Sequence, residues 1–195
     1  MNLANKITVF RLFLVPAFML FAAMPFTLNN QYYQMDTTLS IYIATAIFIL
    51  AAATDKLDGY IARKYKQITK LGIFLDPLAD KLLITAALIC LLQSHRVDVW
   101  AAFLIIGREL VITVFRLAAV RKGIVLPADK TGKIKMVIQV TAIVLTLLYS
   151  IPSSLVSTIR FDKIAIFLAV LITVYSGVHY LVTNWSIFID RKISV

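Results

Sequence analysis

Four aspartates at short, regular intervals are the residues of this sequence whose type and spacing could do chemistry. Asp55 and Asp58 stand three apart, and Asp76 and Asp80 stand four apart. On helices each pair shares one face, because positions three and four apart are surface neighbours. Only a short basic stretch separates the pairs, so two antiparallel helices joined by a turn would gather all four carboxylates at one boundary. Ionised carboxylates at close range repel, and each resists leaving water. Divalent cations relieve both costs. Hard oxygen donors suit Mg²⁺ or Mn²⁺, above all where phosphate oxygens complete the shell. Two such ions could clamp a pyrophosphate and stabilise in-line displacement at phosphorus.

The residues between the aspartates fit the same chemistry. Gly59 leaves room four residues after Asp55, and Ala62 lies on the side of Asp58. A nucleotide could approach the helix backbone there, with Arg63 as a charge-assisted donor to a phosphate. Gly72 permits a tight turn or close packing before Asp76. Pro77 follows Asp76 and is tolerable in a first helical turn, where its missing N–H costs least. Further along, Arg108 and Arg116 are eight residues apart, about 80° around a helix at ~100° per residue. Both can therefore face one pocket. Arg108 is interior to an apolar segment, where a lipid-facing charge is expensive. Glu109 reads as a structural partner for a nearby cation. Lys133 and Lys135 are two apart and point to nearly opposite faces.

The elements that must position these groups are apolar. Of 195 residues, 61% are hydrophobic and 15% charged, with a mean hydropathy of +0.87. That departs from soluble domains, which are roughly 45–50% apolar and about 25% charged. Six apolar segments recur, about Ile7–Phe26, Leu39–Ala53, Ile73–Leu92, Val99–Val120, Ile134–Ile151 and Ile164–Ile189. A spanning helix needs about 20 residues, so the second is long enough only if it runs on through Thr54, Asp55 and Asp58. The first resembles a signal peptide in outline, but is read as a retained helix of a polytopic chain. Six alternating helices with a cytoplasmic N-terminus place 17 of the 20 Lys and Arg residues inside and leave Arg96, Arg160 and Lys163 outside. The positive-inside rule then puts both termini in the cytoplasm. The net charge of +10 fits an anionic membrane face better than nucleic acid. Cys90 lies alone within an apolar run and is expected to fill space. The expected fold is all-α, one membrane domain over residues 1–195 with six transmembrane helices, in the cell membrane as a multi-pass protein.

The run from Asp55 to Asp80 resembles the signature of the CDP-alcohol phosphatidyltransferases, D-x2-D-G-x2-A-R-x8-G-x3-D-x3-D, and meets every fixed position of it. The flanking segments resemble the bacterial branch of that family that makes phosphatidylglycerol phosphate. They are Asn5, Thr8 and Arg11; Gly107, Arg108, Glu109 and Arg116; and Gly132, Lys133 and Lys135. The last helix matches loosely, through Ser176 and Tyr180. Met136 and Lys56 depart from the pattern, where many relatives have Thr and Trp.

The resemblance implies a six-helix membrane fold, usually a homodimer, with its active site toward the cytoplasm. It implies a di-metal site for Mg²⁺ or Mn²⁺ on Asp55, Asp58, Asp76 and Asp80, and Asp80 as the base that deprotonates the acceptor hydroxyl. Gly59, Ala62 and Arg63 match positions that hold the cytidine nucleotide, with Thr8 in support. The implied donor is CDP-diacylglycerol and the leaving group CMP. The leading acceptor is glycerol 3-phosphate, whose phosphate would suit Arg108, Arg116, Lys133 and Lys135. Phosphatidylglycerol, inositol phosphate and serine are the rival acceptors. An ion-coupled transporter would also use six helices and intramembrane charge, but would leave the D-G-x2-A-R spacing unexplained.

Overall fold

The structure, a computed structural model, describes residues 3–27, 37–64, 70–121, 124, 130–149 and 160–185. Within its helices, the side chains of residues 3–6, 24–27, 37, 55–64, 70–77, 130 and 133 lie outside that description. The described residues form six helices and no strand: α1 (Leu3–Thr27), α2 (Thr37–Lys64), α3 (Lys70–Gln93), α4 (Val99–Arg121), α5 (Lys130–Tyr149) and α6 (Phe161–Asn184). Each coincides with one expected apolar segment. The second does run on through both aspartates, giving α2 28 residues.

The start of α3 corrects one expectation. The helix begins at Lys70, so Gly72 falls inside its first turn and makes no tight turn before Asp76. Pro77 then falls in the third turn. Leu71, Ile73, Phe74 and Leu75 supply an apolar run that carries the helix back past the proline. Having no N–H, Pro77 cannot bond the Ile73 carbonyl one turn earlier.

The far end of α3 is closed by a left-handed residue. His95 has φ 54°, and the amides of His95 and Arg96 return to the carbonyls of Leu92 and Leu91 at 3.0 and 2.9 Å. These are the paired bonds of a Schellman cap. They turn the chain within a few residues, so that α4 starts at Val99.

Packing is organised around α1, α2 and α3 on one side and α4, α5 and α6 on the other, with α5 also against α2 and α3. Phe18 of α1 meets Phe48 of α2 at 5.6 Å between ring centroids. Leu83, Leu88, Leu91, Ile105 and Ile143 are buried with them. Ala44, Ala51, Ala87, Ala142 and Ala169 are buried at the contacts. Small residues there let helix backbones approach closely, the usual device where lipid surrounds a bundle.

The outward faces are apolar. Phe13 and Val182 are 70% exposed and Trp100 75%. Among the described residues, α6 is long and apolar enough to cross a membrane, and Ile7–Ala23, Thr38–Thr54 and Ile134–Tyr149 are shorter apolar stretches. Charged residues interrupt the other helices, notably Asp80 and Lys81 in α3 and Arg108, Glu109 and Arg116 in α4.

Candidate active site

Helices α3, α4 and α5 border a small, partly open pocket. Asp80, Lys81, Ile84 and Thr85 line it from α3, Ile105, Ile106 and Glu109 from α4, and Lys135, Met136 and Gln139 from α5. Helical spacing explains the set. Asp80 and Ile84, Ile105 and Glu109, and Lys135 and Gln139 are each four apart, so each helix presents one face. The structure thus brings Asp80 and Lys135 to one cavity, although 55 positions separate them in the chain.

Glu109 is the centre of a charged cluster. Arg108 Nη1 donates to Glu109 Oε1 at 3.1 Å. Lys135 Nζ reaches the same oxygen from α5. Lys135 is 7% exposed, and a cation so far from water needs a partner. The structural role expected for Glu109 is the one observed. It has a cost for the site, because two cations sharing one carboxylate carry a single net positive charge. Arg108 Nη2 also donates to Ser176 Oγ at 2.9 Å, and Ser176 Oγ lies 3.4 Å from Thr131 Oγ1. One polar chain therefore ties α4, α5 and α6. Lys81 joins α3 to α4 through the Thr113 hydroxyl.

Gly177 is what lets Arg108 lie there. A Cβ at this position would come 2.8 Å from Arg108 Cγ and 3.5 Å from its Nε. The sequence reading missed Gly177. Its only signal was a glycine beside Ser176, in the helix that matched loosely.

Arg116 lies two turns along α4 and outside the residues that line the pocket. Its Nε donates to the Tyr180 hydroxyl at 3.0 Å, and its guanidinium carbon sits 5.5 Å from the centre of that ring. Phe115 meets the same ring edge-on at 6.2 Å. Ser176 and Tyr180 are thus the α6 partners of Arg108 and Arg116.

Helix α1 reaches the signature from the other side. Thr8 and Arg11 are both buried, Arg11 completely. Arg11 Nε lies 3.5 Å from the hydroxyl of Thr54, the residue before Asp55. That hydroxyl in turn donates to the Ala51 carbonyl at 2.8 Å. A fully buried arginine at this point fixes α1 against the start of the signature.

Asp55, Asp58, Gly59, Ala62 and Arg63 fall in the last turns of α2, and Asp76 falls in α3 one turn before Asp80. Beyond that helical placement they lie outside the described residues, as does the side chain of Lys133 on α5. No cluster of three potential metal ligands occurs among the described residues, which include only Asp80 of the four aspartates. The donor set itself suits a hard cation. By residue type, two carboxylates three apart in α2 and two four apart in α3 are the hard oxygen donors that such a cation takes.

Comparison with known proteins supplies the family. The model of the CDP-alcohol phosphatidyltransferase family matches residues 1–186. The chain is 43% identical over 185 residues to a Bacillus subtilis protein named CDP-diacylglycerol--glycerol-3-phosphate 3-phosphatidyltransferase, covering 94% of this chain and 95% of the relative. It is 33% identical over 181 residues to a Rickettsia felis protein of the same name, covering 92% and 93%. A signature that meets every fixed position, six helices that carry it, and a family match from end to end agree: this chain belongs to the CDP-alcohol phosphatidyltransferase family.

Proposed function

We propose that this protein transfers the phosphatidyl group of CDP-diacylglycerol to sn-glycerol 3-phosphate, giving phosphatidylglycerol phosphate and CMP. The Bacillus and Rickettsia relatives carry that activity in their names. The observation that carries the reading is the pocket lined by Asp80, the last aspartate of the signature, together with Glu109 and Lys135, an ion pair that Arg108 joins from outside the lining. A base and a phosphate-binding group must lie within one small acceptor of each other, and here they share a cavity.

In this reading Asp80 takes the proton of the acceptor hydroxyl. The freed oxygen attacks the phosphorus of the phosphatidyl group. A P–O bond forms as the bond to CMP breaks, and CMP leaves with the electron pair. Lys135 and Arg108, with Lys133 and Arg116, hold the acceptor phosphate and place its hydroxyl for attack. Gly59, Ala62, Arg63 and Thr8 hold the donor nucleotide. Two divalent cations, Mg²⁺ or Mn²⁺, on Asp55, Asp58, Asp76 and Asp80 would supply charge neutralisation at the pyrophosphate.

The proposal includes the bilayer. Apolar outer faces on all six helices support lipid contact, and the 17-to-3 division of cations supports a multi-pass chain with both termini and the active site cytoplasmic. It also includes the homodimer that the family resemblance implies, and no role for nucleic acid.

The test is an acceptor panel. Purified protein in detergent with CDP-diacylglycerol and Mg²⁺ should release CMP with glycerol 3-phosphate, and far less with serine, inositol phosphate or phosphatidylglycerol. Release with another acceptor alone would reassign the acceptor. No release with any would overturn the reading.

A further inference from the structure

Gln139 lies four residues beyond Lys135 on α5, so both side chains leave the helix on one face. It is 2% exposed. It lines the pocket with Asp80, Glu109 and Lys135. Its amide Nε2 is buried with no hydrogen-bond partner among the described residues. Folded proteins pair nearly all such groups, because an unpaired buried donor loses its hydration for nothing. Its neighbours along α5 are mostly apolar, Ile138, Val140, Ala142 and Ile143, with Thr141 among them bonding its own helix at the Val137 carbonyl. A methionine would fill similar space without leaving a buried donor unpaired.

We propose that the Gln139 carboxamide is an acceptor-positioning group that donates a hydrogen bond to the non-reacting secondary hydroxyl of a phosphorylated polyol. The inference rests on the reading of glycerol 3-phosphate as acceptor and adds a determinant of its specificity. That acceptor brings three polar groups, a phosphate, a primary hydroxyl and a secondary hydroxyl between them. Among the polar residues lining the pocket, which also include Lys81, Thr85 and Glu109, the Lys135 cation, the Asp80 carboxylate and the Gln139 amide are counterparts of matching chemistry. With the phosphate at Lys135 and the primary hydroxyl at Asp80, the middle carbon lies between the two, and Gln139, one turn from Lys135 on the same face of α5, is the group assigned to its hydroxyl. A neutral donor suits that place. It neither takes the reacting proton nor competes for the phosphate. A buried group made to bond a substrate hydroxyl also rejects the analogue that lacks it, since the group is then left unpaired.

The experiment compares glycerol 3-phosphate with 3-hydroxypropyl phosphate, which keeps the phosphate and the primary hydroxyl and lacks the secondary one. The readouts are CMP release from CDP-diacylglycerol and thermal melting in the same detergent. Wild type should favour glycerol 3-phosphate by about tenfold or more in kcat/KM, the worth of one well-made hydrogen bond in a buried site. In Gln139→Met and Gln139→Leu that ratio should collapse toward one, with a Tm equal to or above the wild-type value. A wild type that uses both acceptors equally overturns the proposal, as do variants that keep the ratio. Variants that melt lower or fail to fold, or that lose both acceptors in proportion, show a structural amide and overturn it too. If wild type releases no CMP with glycerol 3-phosphate but does with another alcohol, the acceptor reading itself has failed, and that outcome is seen before any variant is made.

Discussion

Asp80 shares its pocket with two lysines, a glutamate and a glutamine, and the work proposed for it is removal of one proton. General-base catalysis of that kind contributes roughly 10²–10⁴-fold. Asp80→Asn should therefore lower kcat by about that factor, much more than it weakens CDP-diacylglycerol binding. Retention of more than about a tenth of wild-type kcat would remove the base assignment. Arg116 makes a different prediction, because it lies beside the Tyr180 hydroxyl and outside the pocket lining. Arg116→Ala should raise KM for glycerol 3-phosphate about tenfold or more, since charge-assisted hydrogen bonds contribute roughly 1.5–3 kcal/mol. Arg116→Lys should recover part of that, because an ammonium lacks the planar fork. Tyr180→Phe should move the same KM in the same direction by a few fold, with KM for the CDP-lipid steady. Equal shifts in both KM values would make Arg116 a donor-site or structural residue. The charged residues were legible in the sequence as to type and helix, but their partners were not. Lys135 and Glu109 are 26 positions apart on different helices, and their contact depends on how α4 and α5 are rotated about their axes. Spacing along one helix carries no information on that rotation. The orphaned amide of Gln139 was hidden for the same reason.

At the scale of the helices, the sequence was most readable where apolar runs are long. Six runs became six helices, and the extension of α2 through Asp55 and Asp58 followed from the length a span requires. It was least readable where glycine and proline stand near a helix start. Gly72 left a tight turn or close packing open, and the helix starts just before it, at Lys70, three residues ahead of the apolar segment read from Ile73. The crossing of α4 with α6 was not legible at all, because it rests on a missing side chain. At Gly177 the Arg108 stem occupies the space a Cβ would take. Gly177→Ala should push Arg108 off Ser176 and Glu109. The expected results are a stability loss of about 1–3 kcal/mol from overpacking, read by thermal melting in detergent, and a several-fold rise in KM for glycerol 3-phosphate. An unchanged KM beside a lowered Tm would confine Gly177 to packing.

For the whole molecule, apolar exposure and cation distribution argue for one orientation in a bilayer. Phe13, Trp100 and Val182 lie on three different helices and are each largely exposed, as lipid-facing residues are. In a Cys90→Ala background, cysteines placed at Lys66 and Lys130 should react with an impermeant thiol reagent only from the cytoplasmic side. One placed at Asn30 should react from outside. Outside labelling at Lys66 would overturn both the orientation and the cytoplasmic site. The central claim is a transfer between two named substrates, and the lipid product tests it most directly. Purified protein should be given CDP-diacylglycerol, glycerol 3-phosphate and Mg²⁺, and the lipid extract read by mass spectrometry. Phosphatidylglycerol phosphate should appear in step with CMP, and excess EDTA should abolish both. CMP released alongside phosphatidic acid, with no phosphatidylglycerol phosphate, would show hydrolysis of the donor and contradict the transfer.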